Sequence, residues 1–183
     1  MDKTQSGSGP AMALEDNTAA SVGPTEPASP PALRAGRLDD DYKALGLAVS
    51  LMMADPSFGR LPFGHWSRIL AGQIRRKHYL FASEGKDVTG FLGWALTDEE
   101  SAENWLTKRG EISFEAAQDG DCVLINAWLA KTERTNRFLL EQLRMIGKDR
   151  RLVYAKRYYK DGRMRPLKLS VNAFVDRHIS AKR

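Results

Sequence analysis

One cysteine in 183 residues, Cys122, excludes an internal disulfide and any multi-cysteine metal site. Histidine is almost as scarce: His65, His78 and His178 are too few and too scattered to suggest a structural zinc centre. No apolar stretch approaches the roughly 20 residues that span a bilayer. The opening, MDKTQSGSGPAMALEDN, lacks the charged start and apolar run of a secretory signal, so the expected compartment is the cytosol. Large apolar side chains are sparse over residues 1–37, where Ser, Gly, Pro, Ala and Thr dominate and Pro24, Pro27, Pro30 and Pro31 crowd together. Such a segment cannot offset its ordering entropy by burial and reads as a disordered tail before one folded domain over 38–183. At 42% hydrophobic and 28% charged, the chain is otherwise of ordinary globular composition, which excludes a fibre.

The net charge of +5 is unevenly spread. Residues 134–183 carry 15 Lys/Arg against 4 Asp/Glu, whereas 38–133 carry 10 against 15. A basic C-terminal third suggests an acidic partner, and its alternative is a solvated face with no partner. Tyr154, Tyr158 and Tyr159 lie among these cations as in single-strand nucleic-acid binders. The same alternation describes a plain strand, so nucleic acid is the minor option.

Asp39 and Asp40 supply N-cap chemistry before Tyr42, Leu45, Val49, Met52 and Met53, an apolar helical face that ends before Pro56. A second helix is expected over 63–76. The period then changes to that of strands: 78–82, a turn at Gly85, and 88–96 form a hairpin. Asp98 caps a short helix through Trp105 and Leu106. The continuous apolar run 122–130 reads as a central strand buried on both faces, with Cys122 as a small core residue in it. A helix over 135–146 presents Phe138, Leu139, Leu143 and Ile146 and stops at Gly147. A second hairpin joins 152–159 to 167–171 through the turn at 160–163. The fold class is α+β, a mostly antiparallel central sheet flanked by helices. This order is also the layout of GNAT-type acyltransferases, whose splayed central strands hold a pantetheine arm. The glycine-rich turn with which coenzyme A users of that fold bind pyrophosphate is missing: Leu129-Ala130-Lys131-Thr132-Glu133-Arg134 has no glycine, which makes coenzyme A a poor candidate donor.

From Asp40-Asp41-Tyr42-Lys43-Ala44-Leu45-Gly46 onward, the chain resembles the RTX toxin-activating lysine acyltransferases, the hemolysin C-type enzymes. Their Ser-Pro-x-His-Arg-x-Trp-Pro turn is matched by Asp55-Pro56-Ser57-Phe58-Gly59-Arg60-Leu61-Pro62. Their Tyr-Cys-Ser-Trp-Ala strand is matched by Phe91-Leu92-Gly93-Trp94-Ala95. Their Gly-Asp and later Asp-Trp-Ile-Ala-Pro are matched by Gly120-Asp121 and by Ala127-Trp128-Leu129-Ala130-Lys131. Pro56, Pro62, Tyr79, Trp94, Gly120 and Trp128 keep the family spacing without a gap, and the likeness runs over residues 38–171.

The resemblance implies a GNAT-like fold and transfer of a fatty acyl group from an acyl carrier protein to an internal lysine of an RTX-type protoxin, with no bound cofactor. It also allows a homodimer. Lysine titrates near about 10.4, so the reaction needs a base and a group that orients it. The family places a His and an Asp at these tasks, and here those positions are Phe58 and Ala127. The candidates to take over are His65, Asn126 and Asp55. His65 is the better base; its alternative is an exposed or helix-capping residue. Asn126 faces away from the position next to it unless a bulge turns it, and Asp55 before Pro56 has the alternative of a turn residue. Phe58, Phe91, Trp94 and Trp128 are candidates for the wall of an acyl slot, or for core. Arg134, Arg137, Arg144, Lys148, Arg150 and Arg151 are candidates for steering an acidic carrier. The competing reading is a catalytically silent member of the family that binds a carrier or a client protein.

Overall fold

The computed structural model describes residues 31–59, 61–108, 110–159 and 163–171. Asp40 opens helix α1 (Asp41–Met53), its carboxylate accepting from the amides of Tyr42 (2.9 Å) and Lys43 (3.0 Å). A short turn of helix, α2 (Pro56–Gly59), precedes α3 (Phe63–Arg75). The fully buried face of α1 is Ala44, Ala48, Leu51 and Met52; of the face the sequence suggests, Met52 is buried and Leu45 and Val49 pack against the core, while Tyr42 and Met53 do not. Small alanines let the helix approach its neighbours closely, and Tyr42 and Met53 turn to solvent at 88% and 65% exposure.

Strands β2 (Tyr79–Glu84) and β3 (Asp87–Thr97) form the first hairpin, closed by Gly85 at φ 62°, a left-handed conformation that suits glycine. Asp98 caps α4 (Glu99–Lys108) by accepting from the Ser101 amide at 2.8 Å. Strand β4 (Cys122–Ala130) follows a loop, and α5 (Glu133–Gly147) crosses over to β5 (Leu152–Tyr158). Gly147 is the last residue of α5 instead of its stop; the cap is Lys148, whose amide bonds the Met145 carbonyl. Strand β6 (Met164–Ser170) ends the sheet, and residues 160–162 of the expected turn lie outside the described residues.

The sequence reading assigns all of 1–37 to a tail, but Leu33–Gly36 is strand β1, paired antiparallel with β2. Only its first residue is even half-buried, so hydropathy carries no sign of it. Backbone pairing holds it, with two side-chain ties beside it: Arg37 Nε donates to the Tyr79 carbonyl (2.7 Å), and the Tyr79 hydroxyl donates to the Leu38 carbonyl (2.9 Å).

The six strands lie in the order β1-β2-β3-β4-β5-β6, antiparallel except for the β4–β5 pair, which is parallel. On one face of the sheet, α1 and α3 cover Tyr79, Phe81, Phe91, Ala127 and Leu129. On the other, α5 covers Leu80, Leu92, Trp94, Val123 and Ile125. A third cluster packs α4 on Ala95, Cys122, Leu124 and Tyr154. No described helix is long and apolar enough to cross a membrane.

Candidate functional site

Strands β4 and β5 pair only from Cys122 with Leu152 to Ile125 with Ala155, although β4 runs on to Ala130 and β5 to Tyr158. Beyond Ile125 they part, and the β5-facing backbone of residues 126–130 has no strand partner among the described residues. Such an edge offers hydrogen bonds to any extended ligand that enters between the strands.

The parting coincides with a bulge. Gly93 pairs with Ala127 and Trp94 with Ile125, so Asn126 is the extra residue with no partner on β3. A bulge bends its strand and shifts the side-chain alternation by one. Asn126 and Ala127 therefore both face α3, which fulfils the geometric condition set on Asn126 by the sequence. Its side-chain oxygen accepts from the amide of Gln73 on α3. Gln73 is fully buried, and its own oxygen Oε1 has no hydrogen-bond partner among the described residues. A buried acceptor left unmade costs about 1–3 kcal/mol. Room for this amide exists because position 93 is glycine: a Cβ there would lie 2.3 Å from Gln73 Oε1. Gly93→Ala is expected to expel the Gln73 amide and lower stability by about 1–3 kcal/mol. In a double-mutant cycle with Gln73→Ala, measured by urea denaturation, most of that loss disappears; strict additivity would contradict the contact.

Phe58 and Ala127, 69 positions apart in sequence, pack on the same α1/α3 cluster. The two positions at which the resemblance calls for a His and an Asp thus both lie on this cluster, and here both are apolar. Asp55 does not supply a base orienter there: its carboxylate accepts from the Ser57 amide (2.8 Å) and its carbonyl from the amides of Phe58 and Gly59, the role of a helix cap.

His65, at the start of α3, has a partner that the sequence does not reveal. Its Nδ1 lies 3.1 Å from Glu111 Oε1, and Arg68 approaches the same oxygen at 3.8 Å. With Nδ1 donating to Glu111, the Nε2 lone pair is left for a proton. The imidazole is 45% exposed. It precedes Gln73 by eight residues, about 12 Å along the helix axis at 1.5 Å per residue, so the structure does not bring His65 into contact with the Asn126 pair.

The four aromatic candidates do not line one slot. Phe91 and Trp94 stand an odd number of residues apart on one strand and face opposite sides of the sheet. Phe91, with Phe58, lies on the α1/α3 side; Trp94 and Trp128 lie on the α5 side, where the Trp128 indole N–H donates to Asn136 Oδ1 at 2.9 Å. Of the four, only Trp128 lies within the parted segment of β4. Cys122 is buried and its thiol is pushed up to about 12, chiefly by burial, which fits a core residue and not a nucleophile.

Much of the basic surface is paired internally. Arg134 binds Glu84, Arg137 binds Glu133, Arg150 binds Asp119 (3.1 Å), and Arg151 binds Glu99 (2.5 Å) and Asp121 (2.7 Å). Arg144 is engaged as well. Lys148 is exposed and in no ion pair among the described residues. The acidic middle and basic end of the chain largely meet each other, which accounts for part of the asymmetry without a partner. Among the described residues, no group of three or more His, Cys, Asp or Glu side chains could hold a metal.

The family model described as HlyC: RTX toxin acyltransferase family matches residues 38–165. The chain belongs to this family. No curated protein matches the chain. Among solved structures, this RTX toxin acyltransferase family member is similar to the loading GNATL domain of CurA from Lyngbya majuscula. The identity is 14% and the TM-score 0.46, over 71% of this chain and 66% of that one, just under two thirds. It is also similar to a putative acetyltransferase of the GNAT family from Desulfovibrio desulfuricans, at 15% identity and TM-score 0.38, over 69% of this chain and 72% of that one. The sheet order, the parallel β4–β5 pair and the α5 crossover are those of the GNAT-like layout expected from the sequence.

Proposed function

We propose that this protein is an acyl-carrier-dependent protein-lysine acyltransferase acting on an RTX-type protoxin or a related client, with the donor thioester lying between β4 and β5. The observation that carries this reading is the parting of those strands at the Asn126 bulge within a chain of the toxin acyltransferase family.

An extended pantetheine arm bonds the free edge of residues 126–130 as an added strand does. The Asn126 amide, set by Gln73, donates to the thioester oxygen as charge builds on it in the transition state. The lysine nitrogen forms a bond to the acyl carbon, the carbon–sulfur bond breaks, and the amine's proton leaves. His65, with Glu111 behind it, accepts that proton through water spanning the two helical turns between them. A carrier fits better than coenzyme A. The N-terminus of α5 is already capped by Thr132, whose hydroxyl accepts from the Thr135 amide (3.1 Å), and it bears Glu133, a carboxylate that repels pyrophosphate.

The second reading, a silent member that binds carrier or client, is favoured by one observation: the cluster on which Phe58 and Ala127 pack is apolar. Intact-mass measurement of an RTX-type protoxin incubated with acyl-loaded carrier separates the two. The enzyme reading expects an acyl increment that falls by about 10²-fold in rate with His65→Ala. Carrier binding with no increment for the unmodified enzyme would establish the silent reading instead.

A further inference from the structure

Between α3 and β2 the chain makes a tight turn in which Lys77 takes φ 58°, a left-handed conformation unusual for a residue with a side chain. The turn sends Arg76 and His78 inward from either side of it. The His78 ring stacks on Trp94 at 5.9 Å between centroids and 14° between planes. The guanidinium of Arg37 lies over the same indole at 5.7 Å. Arg76 is held over the Phe114 ring at 4.9 Å. A third guanidinium, Arg150, bonds Asp119 and the Gly120 carbonyl (2.6 Å).

The charges in this cluster do not balance. Asp119 is 85% exposed and already holds Arg150. Arg37 and Arg76 rest on aromatic rings and have no carboxylate partner among the described residues. Two polar atoms, Arg76 Nε and His78 Nδ1, are buried without a hydrogen-bond partner among the described residues. Arg37 Nε is already given to the Tyr79 carbonyl, but the terminal N–H groups of both guanidiniums, held on aromatic faces, make no hydrogen bond among the described residues, and such groups are how arginine receives an oxyanion.

We propose that Arg37, Arg76 and His78, gathered around Trp94, form a binding site for a phosphate group. The phosphate accepts from the guanidinium edges and from His78 Nδ1, which takes up a proton as the anion enters. Unliganded, His78 is depressed to about 4, first by burial and then by the positive charges of Arg76, Arg37 and Arg150, while a backbone hydrogen bond to Ala117 opposes them. An anion among those three cations reverses that bias. This inference stands apart from the acyltransfer reading and uses none of its residues.

The test is an NMR titration of the His78 imidazole in the full chain, in chloride, inorganic phosphate or diethyl phosphate at matched ionic strength. Phosphate is expected to raise the His78 midpoint by at least about one unit, a tenfold shift in proton affinity. A response to both anions assigns the site to a phosphodiester carried on a larger molecule; a response to inorganic phosphate alone assigns it to a free phosphate. Arg76→Gln should raise the midpoint in chloride, by removing a cation, and abolish the phosphate increment; Arg37→Gln, outside the turn, provides the same comparison should the first variant fold poorly. A midpoint that is the same in all three solutions would overturn the proposal.

Discussion

Asn126→Ala is expected to slow acyl transfer by about 10²–10³-fold while leaving carrier affinity within a few-fold of the parent. That range is what removal of one positioned donor to a developing oxyanion costs elsewhere. The strand edge proposed to receive the pantetheine arm is backbone, and truncating a side chain does not remove it. Gln73→Ala should lose less, since Gln73 acts through Asn126 and does not itself touch the carbonyl. The two variants together should be no slower than Asn126→Ala alone, because Gln73 has nothing to position once Asn126 is gone. Steady-state turnover read as thiol release from the carrier, alongside carrier binding by titration, separates a kcat loss from a KM loss. Equal losses in binding and turnover would make Asn126 a structural residue.

Gly120→Ala should produce the largest fall in stability of any small substitution in the domain. Gly120 has φ 149°, and a Cβ built on it would lie 2.2 Å from both the carbonyl carbon and the oxygen of Thr97. Those are backbone atoms at the end of β3, where Thr97 pairs with Cys122, so no rotamer change relieves the overlap. Overpacking of this kind costs about 3 kcal/mol or more, and at about 2–4 °C per kcal/mol the melting temperature falls by roughly 10 °C. Gly36→Ala, where the added methyl meets nothing within 4 Å, is the control and should leave the melting temperature within about 2 °C. A Gly120→Ala protein that melts with the parent would mean that the chain around Gly120 is not packed on Thr97 as described.

The elements that the sequence announces are those with local punctuation. Asp40, Asp98, Gly85 and the shift from helical to alternating apolar spacing mark α1, α4 and the first hairpin within one or two residues. The run that becomes β4 has the expected bounds because a strand covered by helices on both faces of the sheet is apolar nearly throughout, with Asn126 its one polar residue. What escaped depends on partners remote in sequence. Strand β1 has almost no apolar side chain to show. The bulge at Asn126 is a property of two strands in register, and no single strand encodes it. Glu111 meets His65 from a loop 46 residues away. Gln73 did leave a trace: it stands with Trp66, Leu70 and Ile74 on the buried stripe of α3, where a polar residue without a structural reason is out of place. The family register marks Phe58 and Ala127 as the positions of the His and the Asp, and both pack on the α1/α3 cluster, yet it does not say what chemistry replaces the pair.

The location of the donor is the point on which the rest depends. A carrier protein whose pantetheine arm ends in a photoreactive acyl mimic, crosslinked to this protein and mapped by peptide mass spectrometry, measures it directly. The account predicts labels on residues 126–130 of β4 and 156–158 of β5, weakened by excess unlabelled acyl carrier. Labels confined to the exposed sides of α1 and α2, with none on either parted strand, would contradict it.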